Sequence, residues 1–385
     1  MQIIDEIVPK ENKIYDKAKR YFNPEEVLMF DIETTGLSAS SSFVYIIGIN
    51  YYKNGEWHIT LLFNDDGRSE PEIIETFMRL LPEYKYLIEF NGDTFDVPFV
   101  KKRLEYINTR LNRNIPDNFY RVHQLDLYKI IRPYKAALGL SNLKQKTIER
   151  FVGIDRIDQM NGGELINVYF DYLSSRSERD RSLLLQHNRD DMDGMFCLID
   201  IFALRSLGNG DFTVKNIEIT GREKLRIKFH LDLKIFPEMN IAASLRDKTI
   251  SMNKLTSSSP LLLISAAEKE ASLSIPISIG IFKLIHKYYK QYNYYPELDC
   301  AYHKDLAPTL TAYNAEPAKA SNCYTKTEGY FIEKYKFPEG RTFYREEDEI
   351  SSKSSSFIEL SDDFLGDSEL VEEYVHYIVN KILTH

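Results

Sequence analysis

Val27-Leu28-Met29-Phe30 runs without a polar residue straight into Asp31-Ile32-Glu33. A stretch apolar at every position suits a strand buried on both faces, which requires layers packed on either side of a sheet. The neighbouring chain can supply them. Residues 44–52 and 57–63 read as two strands joined through Asn54-Gly55, a hairpin signal because both turn residues tolerate positive φ. Residues 70–81 carry Pro71 near a helix start and Ile73, Ile74, Phe77, Leu80 and Leu81 at helical spacing. Residues 86–90 read as a further strand, ended by Asn91-Gly92, and helical patterns occupy 96–110, 141–151 and about 180–205. Strands and helices mixed in this way predict an α/β domain over residues 1–207.

A break at Ser206-Leu207-Gly208-Asn209-Gly210-Asp211 precedes a change of character. Residues 212–265 alternate in short β-like stretches, as in Lys224 to Leu231. A helical pattern is expected at 279–291, a solvated loop at 346–369 and a closing helix at 370–383. Residues 211–385 are therefore expected to form a smaller, mixed, β-rich domain whose motifs point to no particular family and which is a candidate for substrate handling. The chain is 43% hydrophobic, enough for real cores without staples. No apolar run approaches the roughly 20 residues that span a bilayer. Residues 1–10 lack the basic-then-apolar pattern of a secretory leader. The three cysteines, Cys197, Cys300 and Cys323, match no metal-ligand spacing and read as buried free thiols. A cytoplasmic protein with no membrane partner is expected.

The chemistry is carried by acids. Asp31 and Glu33 leave the end of a buried strand on the same face, because side chains repeat every second residue. Two carboxylates side by side raise one another's pKa unless a cation lies between them. Hard oxygen ligands at that density suit Mg²⁺ or Mn²⁺. In EFNGDTFDVPF at 89–99 a strand turns into a helix that starts near Asp96. Asp96 there is either an ordinary helix N-cap or a ligand, with Asp93 a rival in the same turn. In LLLQHNRDDMDGM at 183–195, His187 and Asp191 stand four apart and so share a helix face, whereas Asp190 and Asp193 turn away from it.

As a set, these motifs resemble those of the ribonuclease H-like 3′–5′ exonucleases named for the shared acids Asp-Glu-Asp-Asp. The likeness is to a bacterial branch reading "DIETTGL", "NG-x-x-FD-x-P" and "YN-x-x-D". It covers about residues 24–205 and includes His123, Asp126-Leu127, Leu140-Ser141-Asn142-Leu143, Glu149 and Tyr169. The resemblance implies a mixed five-stranded sheet flanked by helices, with Asp31, Glu33, Asp96 and Asp191 as ligands of two metal ions. It also implies that Thr34 and Thr35 meet the terminal sugar and that Leu37 wedges against the last base. The group divides by its general base: a Tyr four residues before the last Asp, or a His five before it. This chain has His187 four before Asp191, a His in the Tyr-type slot. It can orient or deprotonate the attacking water.

The expected activity is metal-dependent hydrolysis of DNA or RNA from a single-stranded 3′ end, releasing 5′-mononucleotides. The alternative is a nucleic-acid-binding or scaffold protein whose nuclease site is weakened by the His substitution. The net charge of −9 opposes a polyanionic partner only on average. Residues 101–150 hold twelve Lys or Arg against four Asp or Glu. Lys101 and Lys102, with Arg103, Lys144 and Lys146, are candidate phosphate contacts. Tyr288, Tyr289 and Tyr292 are candidate stacking surfaces for bases.

Overall fold

The computed structural model describes residues 1–9, 13–153, 162–221, 223–231, 240–244, 259–265, 270–338, 344–346 and 355–384. The described residues fall into two compact units, one up to Ser206 and one from Leu207 onward.

The first unit contains β1 (Gln2–Ile7), β2 (Val27–Thr34), β3 (Val44–Lys53), β4 (Glu56–Phe63), α1 (Glu70–Leu80), β5 (Tyr86–Glu89), α2 (Asp96–Arg110), β6 (His123–Asp126), α3 (Leu127–Ile131), α4 (Gln145–Phe151), α5 (Gly162–Ser175) and α6 (Glu178–Leu198). α7 (Ile201–Asn209) follows. The sheet runs β1-β4-β3-β2-β5-β6. β5 and β6 continue it in parallel from β2, while β1, β4 and β3 are antiparallel. This is the mixed sheet expected of a ribonuclease H-like fold, with six strands in place of five. The added strand, β1, is an edge whose residues are mostly exposed, so it lacked the apolar pattern that marks the others.

Alternation along β2 sorts its two faces. Leu28, Phe30 and Ile32 enter a core with Ile73, Ile74 and Phe77 of α1 and Val97, Val100, Leu104 and Ile107 of α2. Phe30 stacks on Phe77 with ring centroids 4.9 Å apart. The opposite face meets α6, where Asn50 Nδ2 donates to the Met192 carbonyl at 2.8 Å. Trp57 packs edge-on against Phe196 at 4.7 Å. The β3–β4 turn places Asn54 and Gly55 at φ 54° and 85°, as the hairpin reading required. α4 begins at Gln145 rather than 141, and the long helix expected over 180–205 is divided between α6 and α7.

The second unit holds β7 (Phe212–Thr220), β8 (Lys224–Leu231), β9 (Asn240–Ser244), β10 (Leu261–Ser265), β11 (Glu270–Ile285), β12 (Tyr292–Tyr295), β13 (Cys300–His303), β14 (Glu316–Pro317), β15 (Tyr324–Glu333), β16 (Tyr344–Glu346), β17 (Phe357–Glu359), α8 (Asp362–Gly366) and α9 (Ser368–Thr384). β11 is the hub of its larger sheet, pairing with β8, β10, β15 and β16; β12, β13 and β14 form a small separate sheet. The helix expected at 279–291 is instead the end of β11 and a short 3-10 turn. The alternation Ile275, Ile277, Ile279, Ile281 carries β-branched residues at period two, and that period prevails. The loop expected at 346–369 contains β17 and α8; residues 347–354 lie outside the described residues. Cys197, Cys300 and Cys323 are buried and in no disulfide among the described residues. No helix among the described residues is long and apolar enough to cross a membrane.

Candidate metal centre

β2 ends where its partner strand bulges. Register with β3 shifts between Glu33 and Thr34, so that Glu33 pairs with Ile46 and Thr34 with Val44, skipping Tyr45. A bulge re-aims a side chain locally, and the Tyr45 hydroxyl here donates to Glu33 Oε2 at 3.3 Å. Tyr45 is buried and stacks on Tyr169 at 4.3 Å, while the Tyr169 hydroxyl donates to the Asn64 carbonyl at 2.7 Å. Burial first, then the negative charge of Glu33, pushes the Tyr45 phenol well up, so it remains a donor.

α6 brings three side chains to the same place. His187 Nε2 lies 3.4 Å from Glu33 Oε1 and 3.4 Å from Asp191 Oδ2. Ligand atoms from Glu33, His187 and Asp191 all fall within 4.8 Å of one another. Asn188, fully buried, donates through Nδ2 to Asp31 Oδ2 at 2.9 Å. α6 can come this close because residue 48, opposite Asp31 on β3, is glycine.

Asp96 is the first residue of α2 and is buried. Its carboxylate does not serve as a conventional N-cap: the cap position is Phe95, and Asp96 Oδ1 accepts the Ile32 amide at 3.1 Å, between the two acids of β2. Burial raises its pKa to about 7, opposed by its backbone hydrogen bonds, with the charges of Asp126 and Asp191 adding to the rise. Asp93, its rival, faces Lys129 in an ion pair. Asp190 accepts from Gln186 and Asp193 from Arg189, both away from the cluster.

A further acid lies behind Asp96. Glu89 ends β5 beside Asp126 of β6 and is fully buried, with no hydrogen-bond partner for either oxygen among the described residues. Its side chain passes over Gly92, where a Cβ would come within 2.3 Å of Glu89 Cγ. Burial, then Asp93, Asp126 and Asp96, pushes its pKa up to about 9. Asp126 accepts the amides of Asn91 and Tyr128 at 2.9 Å each.

Thr34 and Thr35 fold the loop after β2. Thr34 Oγ1 donates to the Gly36 carbonyl at 2.9 Å, and Thr35 Oγ1 accepts the Phe43 amide at 3.0 Å. Leu37, just beyond, is 89% exposed. Lys101 and Lys102 are not gathered with the acids. They lie on the outer face of α2, Lys101 paired with Asp117 at 3.5 Å. Arg103 is turned inward and held by Glu70 at 2.6 and 2.8 Å and by the Ala39 carbonyl at 3.0 Å, so it is no phosphate contact.

The donor set fits a divalent cation. Carboxylate oxygens dominate it, with the His187 imidazole beside them, and burial together with the charges of Asp126 and Asp191 drives the Asp96 carboxyl up. Tyr45 and Glu89 were not singled out from the sequence, and Asn188 entered only as the Asn of the motif that ends at Asp191. Asn188 had a signal, standing three residues before Asp191 and so near it on the helix surface. Tyr45 and Glu89 had none, since their roles depend on a bulge and on burial.

Residues 28–203 match the family model RNase_H_2, of the RNase_H superfamily. With the mixed sheet and its helices, the first unit is ribonuclease H-like in fold. The chain is also similar to DNA polymerase 1 of Sulfurisphaera ohwakuensis, 27% identical over 120 residues, covering 24% of this chain and 14% of that protein. Among solved structures it matches the family B DNA polymerase from the hyperthermophilic archaeon Pyrobaculum calidifontis at 16% identity and a TM-score of 0.37. That match covers 49% of this chain and 25% of the polymerase. The chain thus spans a quarter or less of each relative's length.

Proposed function

We propose that the first unit is a nuclease that hydrolyses phosphodiester bonds with Mg²⁺ or Mn²⁺, removing 5′-mononucleotides from the 3′ end of a nucleic acid strand. The observation that carries this reading is the convergence of Glu33, His187 and Asp191 within 4.8 Å at the end of β2. Asp31, hydrogen-bonded to Asn188 of α6, and Asp96, hydrogen-bonded to the Ile32 amide between the acids of β2, lie outside that group of three and support the four-acid reading. The match to the RNase_H superfamily over residues 28–203 supports the same chemistry.

Asp31, Glu33, Asp96 and Asp191 would hold the metal, whose chemistry is activation of water and stabilisation of the leaving oxygen. The protein's own part is positioning. Asn188 fixes the Asp31 carboxylate, Tyr45 fixes Glu33, and the Ile32 amide fixes Asp96, so the acids are held before substrate arrives. His187, whose Nε2 lies 3.4 Å from both Glu33 and Asp191, would orient the attacking water and take its proton. Exposed Leu37 is available to pack on a terminal base, and the Thr34-Thr35 loop to meet its sugar.

A digestion panel tests this. Strands of DNA and RNA labelled at the 5′ end, with free or phosphorylated 3′ ends, are incubated with Mg²⁺, Mn²⁺ or excess chelator. A descending ladder that needs metal and is slowed by a 3′ phosphate is expected. Cleavage of closed circular single strands at a comparable rate would replace the exonuclease with an endonuclease. Hydrolysis in excess chelator would refute the metal role, and no hydrolysis of any strand would refute the nuclease.

A further inference from the structure

We propose that the turn at residues 287–290 of the second unit is a landing platform for single-stranded nucleic acid, two tyrosine rings stacking on bases and two lysines meeting phosphates. The proposal rests on the nucleic-acid reading given above and assigns to the second unit a role in it. The turn reads Lys287-Tyr288-Tyr289-Lys290 and holds no acid. Tyr288 is 72% and Tyr289 37% exposed, and both lysines are exposed as well.

What lies beneath is built rigidly. His286 stacks on Tyr292 with centroids 4.5 Å apart and planes 14° from parallel, and His303 meets the same Tyr292 edge-on at 5.3 Å. The His286 amide donates to the Cys323 carbonyl at 2.9 Å. The Gln291 amide closes the turn on the Tyr288 carbonyl at 2.9 Å, and Lys304 Nζ braces the Lys290 carbonyl at 2.7 Å. Tyr292 is thus part of the pedestal, and Tyr288 and Tyr289 are what it displays. A side chain held on a rigid base loses less freedom on binding.

Three acids of the same unit have partners of their own. Asp299 accepts from Tyr324 at 2.7 Å and pairs with Lys326 at 2.6 Å, Glu297 accepts from Asn314 at 2.8 Å, and Asp305 pairs with His303 at 3.1 Å. None of these pairings uses Lys287 or Lys290, both of which are exposed. Flat aromatic faces interleaved with cations are the chemistry that bases and phosphates recognise together.

The test uses the full chain in excess chelator, so that no strand is degraded, with fluorescein-labelled thirty-nucleotide oligo(dT) and oligo(U) in an anisotropy titration. The variants are Tyr288→Ala/Tyr289→Ala and Lys287→Glu/Lys290→Glu, each checked for a native melting curve. The tyrosine variant is expected to bind roughly ten- to a hundredfold more weakly with the salt slope kept. The lysine variant should lose about 1.4 units of slope, about 0.7 for each phosphate contact. Oligo(dT) against oligo(U) reads which sugar is preferred. Unchanged affinity and slope in both variants overturn the platform, as does a tyrosine variant that loses nothing while duplex DNA binds as tightly as single strands. A separate measurement, cleavage of a trinucleotide by the unaltered protein with Mn²⁺, reports on the nuclease itself. Cleavage with turn variants that bind normally sinks the platform alone, and turn-dependent binding without cleavage sinks the nuclease alone.

Discussion

Gly48 leaves the space that Asn188 occupies: a Cβ built at Gly48 would stand 2.2 Å from Asn188 Oδ1 and 2.8 Å from Met192 Cγ. The absence of one methyl group on β3 lets α6 seat deeply enough for Asn188 to reach Asp31 and for His187 to reach Glu33.

Gly48→Ala should therefore push α6 outward. Overpacking of this kind costs about 1–3 kcal/mol, and loosening an aligned site costs turnover by roughly a hundredfold. Trp57, the single tryptophan, is buried against Phe196 of α6 and reports the change in a urea titration followed by fluorescence. Adding Asn188→Ala should recover part of the stability and none of the activity. A Gly48→Ala protein with native midpoint and full turnover would show that the seating of α6 is unimportant.

Asp96 combines a structural and a chemical role, and two substitutions separate them. Asp96→Asn keeps an oxygen for the Ile32 amide, so the fold should hold while metal-dependent turnover falls by orders of magnitude. Asp96→Ala leaves that buried amide without its acceptor and should cost a further 1–3 kcal/mol or so, about the cost of an unsatisfied buried group. Asp31→Asn should match Asp96→Asn in activity. Calorimetric titration with Mn²⁺ should lose at least one binding event in either Asn variant; retention of all events with full activity would remove these residues from the metal site.

His187→Ala should lower the rate by roughly a hundredfold or more if the imidazole handles the proton of the attacking water. His187→Tyr should restore part of it, with a pH–rate profile of different shape, because Tyr is the residue that the resembled group carries at this spacing. Wild-type rates for the Ala variant across pH would leave His187 a packing residue between Glu33 and Asp191.

Glu89 makes stability depend on pH. Its folded pKa is raised to about 9 from an ordinary 4.5. Below the ordinary value both folded and unfolded chains are protonated and nothing is lost. Between the two values the unfolded chain has released a proton that the folded chain keeps, so stability falls as pH rises, by up to about 1.4 kcal/mol per pH unit. Above about 9 the loss levels off. Glu89→Gln removes this dependence, and its advantage over the parent should grow from pH 5 to 9 in Trp57-monitored unfolding. An advantage that stays flat with pH would mean that Glu89 is ionised in the folded chain.

Sequence pattern carried the first unit far. The buried run of β2, the Asn54-Gly55 hairpin and the spacing of α1 are local signals, and the mixed sheet that they imply is present. What escaped was tertiary. β1 is an edge strand that pairs only with β4 among its described neighbours, so nothing forced it to be apolar on either face. Arg103 was read as a surface cation, although it lies on one stripe with Val100, Leu104 and Ile107. Only the position of Glu70 reveals that this Arg is buried for its ion pair. The rear acid Glu89 ends a strand of ordinary composition and acquires its character from burial, then from Asp93, Asp126 and Asp96 around it.

Cys197 lies in the core of the first unit, whereas Cys300 and Cys323 lie in the second, and all three are shielded from solvent. A thiol-reactive dye added under native conditions consequently labels only molecules that have opened. One equivalent marks opening of the first unit and two mark opening of the second, so labelling stoichiometry over time distinguishes which half of the chain breathes more often without any substitution being introduced.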